Sequence, residues 1–101
     1  MTVFAITFRI TYDNEASYNK RYESLVDAIK ASAGMYWDDP TSFFLITSDL
    51  TAPKLASHLV TTSYFDEEQD HLLVINLSAT KGSAHRGKLI DQDLVPILKQ
   101  R

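Results

Sequence analysis

The chain has 101 residues, the length of one domain, and is 45% hydrophobic and 23% charged with three Gly and three Pro, which excludes disordered, collagen-like and disulfide-scaffold classes. A formal net charge of −3 argues against a general electrostatic nucleic-acid binder, and the lack of cysteine removes thiolate metal sites and cysteine nucleophiles. MTVFAITFRITYD has no basic leader pattern and no apolar run nears the roughly 20 residues of a spanning helix, so the expected setting is cytoplasmic with no membrane partner.

Val3 to Tyr12 alternates: Phe4, Ile6, Phe8, Ile10 and Tyr12 point one way, and Val3, Ala5, Thr7, Arg9 and Thr11 the other. Period two with β-branched and aromatic residues predicts a strand covered on one side. Asp13, Asn14, Glu15 and Ser17 supply helix-starting side chains, and Tyr18, Tyr22, Leu25, Val26 and Ile29 then fall at helical spacing. That helix is expected to end near Ala33, with Gly34 in a left-handed position. Met35 to Asp38 reads as a short strand, Asp39 to Ser42 as a turn, and Phe43 to Ser48 as a second apolar strand, making an antiparallel hairpin.

Thr51 is a good N-cap, with Pro53 in the first turn and Leu50 and Leu55 at hydrophobic-staple spacing, so a second helix is expected from about Ala52 to Thr62. Leu55, Ala56, Leu59 and Val60 form its buried stripe. Ser63 to Asp70 reads as an acidic loop and Leu72 to Leu77 as a central strand. Lys81 to Lys88 (KGSAHRGK) reads as an exposed basic loop, and Asp93 as the cap of a last short helix turning Leu94, Ile97 and Leu98 inward.

The order β-α-β-β-α-β predicts an α+β, ferredoxin-like sandwich: an antiparallel sheet with strands one and three in the middle, two helices on one face, and a short C-terminal helix. Residues 1–80 form the core, with net charge −6. Residues 81–101 form a basic appendix of net charge +3 that packs on its own or a partner subunit. One layer of helices leaves a sheet face bare, and a mostly apolar bare face predicts a homodimer. The competing cover is the C-terminal segment folded back over its own sheet.

Candidate chemistry is sparse. Asp38, Asp39 and the 66–70 carboxylates have the oxygen donors that Mg²⁺ favours, yet carboxylates in turns are ordinarily solvated. His58, His71 and His85 are spaced 13 and 14 apart, which matches no helical metal motif, so no metal site is expected. The best anion-binding stretch is KGSAHRGK, where amides near Gly82 and Gly87 join Lys81, His85, Arg86 and Lys88. It is not a P-loop, because Leu89 follows Lys88.

The segments FAITFRI, SYNKRYESLVDAIKASAG, TSFFLITSDLTAPKL and DHLLVINLS, with RGKLIDQDLVPIL near the end, resemble SinR-like proteins over about residues 3–99. That group sits with the VapD toxins and the small CRISPR-adaptation subunit, a superfamily of dimeric ferredoxin-like proteins. The resemblance implies a related fold and a metal-dependent nuclease ancestry that uses an aspartate near the end of strand one. Here that stretch is Phe8-Arg9-Ile10, and arginine pairs with anions instead of ligating cations. The tryptophans typical of the group are also largely replaced: Trp37 remains, while Phe44 and Leu94 to Ile97 occupy the other positions.

The leading expectation is therefore a non-enzymatic homodimeric binding protein of phage-defence, CRISPR-related or toxin–antitoxin type. It would need no cofactor, bind a protein or nucleic-acid partner, and use Arg9, Lys81, His85, Arg86 and Lys88. One alternative is a Mg²⁺-dependent endoribonuclease using Asp13 or Asp49 from both subunits. Another is an antitoxin-like inhibitor whose acidic 66–70 loop caps a basic partner.

Overall fold

A computed structural model describes residues 1–78 and 82–100. The elements run β1 (Thr2–Arg9), α1 (Glu15–Ser32), β2 (Tyr36–Trp37), β3 (Phe43–Ser48), α2 (Ala52–Thr61), β4 (His71–Asn76), β5 (Ser83–Gly87) and α3 (Leu94–Leu98). The result is an α+β fold with one open, antiparallel five-stranded sheet in the order β2-β3-β1-β4-β5, compatible with a ferredoxin-like arrangement.

The alternation of β1 sorts the two faces as expected. Phe4, Ile6 and Phe8 are buried together with Phe44 and Ile46 of β3 and Leu72 and Val74 of β4. Leu25 and Ile29 of α1 and Leu55 and Leu59 of α2 close over that face in one cluster. Helix starts follow the capping rules: Asn14 Oδ1 accepts the Ser17 N–H at 2.9 Å, and Thr51 Oγ1 accepts that of Lys54.

Several expectations are corrected. β1 ends at Arg9, and Tyr12 lies beyond it, exposed and ring-to-ring with Tyr18. Gly34 is not left-handed, because the chain leaves α1 extended at Ala33. Its missing side chain instead permits close approach, since a Cβ there would lie 2.8 Å from Thr47 Oγ1. Asp93 makes no side-chain cap, and Ile97 of α3 is exposed, not inward. Most consequentially, Ser83–Gly87 is not a loop but a strand paired along β4, its side chains half-buried. Lys81 lies outside the described residues.

Candidate functional site

Two places concentrate polar side chains: a buried hub beneath α1, and the sheet face that the helices leave uncovered.

The hub ties together four parts of the chain. Asp70 has no exposed surface and accepts from the Thr11 N–H at 3.0 Å, the Asp66 N–H at 3.1 Å and the Arg21 guanidinium. Arg21 also donates to the Thr11 carbonyl at 2.8 Å and to Asp13 Oδ1 at 2.9 Å. The Asp70 carbonyl accepts the Lys88 N–H at 2.7 Å, which draws the end of β5 inward. Gly87 makes that approach possible: it has φ +98°, and a Cβ there would sit 1.9 Å from the Asp70 carbonyl oxygen. Its glycine is thus used for packing, and the neighbouring Lys88 amide is already spent, so neither supplies a phosphate cradle.

Asp13 is engaged in the same hub. The Asn14 N–H, the Ser17 hydroxyl and Arg21 hold its carboxyl down at about 2. A carboxylate already paired with a buried guanidinium is a poor cation ligand. Asp49 follows β3 at the end where Ser48 pairs with Thr2, whereas Asp13 lies beyond Arg9 at the other end of β1. That is roughly 23 Å of strand at about 3.3 Å per residue, so within one chain the two form no common site. Among the described residues no group of three or more His, Asp or Glu is placed to hold a metal ion.

The acidic loop is also largely engaged internally. Asp66 accepts from the Glu68 N–H and the Gln69 side chain, and Glu67 meets Arg86 in a two-pronged pair at 2.6 and 2.9 Å. That pair lowers the Glu67 carboxyl below its usual range. An open hollow lies beside this loop, where Lys20 Nζ sits 4.0 Å over the Tyr64 ring. Of its charged lining, Arg21, Asp66 and Glu67 are already engaged within the chain.

The bare face gathers alternate residues of the strands: Val3, Ala5, Thr7 and Arg9 from β1, Leu45 and its neighbours from β3, and His71, Leu73 and Ile75 from β4. Trp37 opposite Leu45, and His85 opposite Leu73, extend it at the two sides. Val3 is 37% and Trp37 48% exposed, and together with Met35, Leu45 and Thr47 they line an apolar hollow of about 200 Å³. At the opposite corner stand Arg9, His71 and His85. Arg9 donates to the Gln69 and Lys88 carbonyls, both at 2.9 Å. His71 Nε2 and His85 Nδ1 are 3.4 Å apart.

The structure therefore splits the basic KGSAHRGK group. His85 joins Arg9 on the bare face, Arg86 turns to the helix side onto Glu67 and Ser57, and Lys88 is exposed. Sequence reasoning missed His71 as a neighbour of His85 and missed the hub. The signal for the hub was Arg21, a charged residue four before Leu25 on the apolar stripe of α1. No family model, curated protein or solved structure matches the chain.

Proposed function

We propose that this chain is a homodimeric, ferredoxin-like binding protein, which pairs through its bare sheet face and acts by holding a partner, not by catalysis. The observation that carries the reading is that face, where Val3 and Trp37 are exposed beside Leu45, Leu73 and Ile75. A two-fold copy placed on the apolar Val3–Trp37–Leu45 side of this face covers the apolar surface of both chains at once. α3 has no buried residue, which argues against its serving as the cover within the chain. The engagement of Asp13 with Arg21, and the distance of Asp49 from it, support a role without chemistry. The resemblance to SinR-like proteins supports reading that role as phage-defence, CRISPR-related or toxin–antitoxin.

The test is cleavage of labelled RNA and DNA with Mg²⁺ or Mn²⁺ by protein first sized by light scattering, beside an Asp13→Ala control. No cutting from a dimer is expected. Metal-dependent cutting that vanishes in the variant would overturn the reading.

A further inference from the structure

Arg9 on β1, His71 on β4 and His85 on β5 occupy three neighbouring strands on one face. The register sets His71 opposite Arg9, and His85 opposite Leu73, two residues along from His71. Both partners of the Arg9 guanidinium are neutral carbonyls, and its Nε is buried with no acceptor among the described residues. Arg9 takes part in none of the ion pairs among the described residues. No strand position on this face carries Asp or Glu.

A half-buried guanidinium beside two imidazoles, with no carboxylate on the strands of this face, is a donor-rich patch with one permanent positive charge in partly desolvated surroundings. Burial, His85 and Arg9 together hold the His71 imidazole below its usual value, the direction expected where like charges face one another. An anion with several acceptor oxygens stabilises the protonated imidazole and suits a guanidinium whose remaining N–H groups have no charged partner.

We propose that Arg9, His71 and His85 form an oxyanion site for a phosphate group, and that a phosphate-bearing ligand is what this binding protein holds beside its dimer contact. The inference rests on the reading of the chain as a binding protein and names its ligand class. Arg9 supplies the permanent charge, and His71, held below its usual value in the free protein, takes up a proton as the ligand binds. Lys88, exposed just after β5, is the next cation along the chain.

The test follows the histidine C2 proton resonances of the full-length protein during titration with inorganic phosphate, against chloride of matched ionic strength. Saturable shifts of His71 and His85, but not His58, are expected in the roughly millimolar range, with the His71 imidazole pKa raised from its lowered value. Arg9→Gln and His85→Gln are each expected to weaken binding by about tenfold. The His85 variant keeps the test sharp if loss of the Arg9 backbone bonds disturbs folding. Tighter binding of adenosine monophosphate than of phosphate would identify a nucleotide as the source, and equal binding the phosphate group alone. Shifts that only track ionic strength, or that answer Zn²⁺ but not phosphate, would overturn the site. Sedimentation in the same buffers separates the two readings. A dimer without saturable shifts overturns this site alone, and a phosphate-binding monomer overturns the dimer alone.

Discussion

Replacing Asp70 by alanine strikes the hub where its cost is calculable. The carboxylate is fully buried and accepts two backbone N–H groups as well as the Arg21 guanidinium, itself 5% exposed. Removing one partner of a buried ion pair costs about 3–5 kcal/mol, and each orphaned N–H adds about 1–3 kcal/mol. Arg21 keeps Asp13 and the Thr11 carbonyl, which offsets part of this. The expected loss is therefore at least about 4 kcal/mol, a large share of the roughly 5–15 kcal/mol that holds a domain folded. At roughly 4–8 °C per kcal/mol for a chain of this size, Tm falls by at least about 15 °C. Urea unfolding followed by far-ultraviolet circular dichroism measures it, with Arg21→Ala and the double variant closing a cycle. Coupling of at least about 1 kcal/mol is expected. A loss below about 1 kcal/mol for Asp70→Ala would refute the view that this pair fastens α1 to the loop before β4.

Gly87→Ala is expected to destabilise by about 2–3 kcal/mol in thermal melts, because φ +98° and the Asp70 carbonyl leave no room for a Cβ. Asp13 has a depressed folded-state pKa, so its contribution is complete above the unfolded value near 3.8 and is lost as pH falls toward about 2. Asp13→Asn should flatten the fall of the urea midpoint across that window. His71 is held below 6.5 in the folded protein, so the unfolded chain binds more protons there and stability drops as pH falls below that value. His71→Gln should remove this component, read from urea midpoints on either side of pH 6.5.

Much of the fold was legible because its signals are local. The alternation of Phe4, Ile6 and Phe8, the Thr51 cap and the Leu55–Leu59 stripe each declare an element and its buried side within a few residues. β5 was not legible for a physical reason. Ser83-Ala84-His85-Arg86-Gly87 has neither β-branched residues nor apolar alternation, and it becomes a strand by pairing with the free edge of β4. The candidate site inherits that gap. Arg9 and His85 were singled out from sequence, but only the β4–β5 register brings His71 beside His85 and turns Arg86 away to Glu67. The Arg21–Asp70 pair spans 49 residues, and no local pattern links its two ends.

The most direct test of the account is the mass of the protein in solution, by sedimentation equilibrium over a wide concentration range, for the natural chain and for Leu45→Arg. Leu45 sits on the bare face opposite Ala5 and beside Trp37, outside the helix-covered core. The natural chain is expected at twice the 11.4 kDa of one chain, falling to a single chain in Leu45→Arg with an unchanged circular dichroism spectrum. A natural chain that stays monomeric throughout would contradict it.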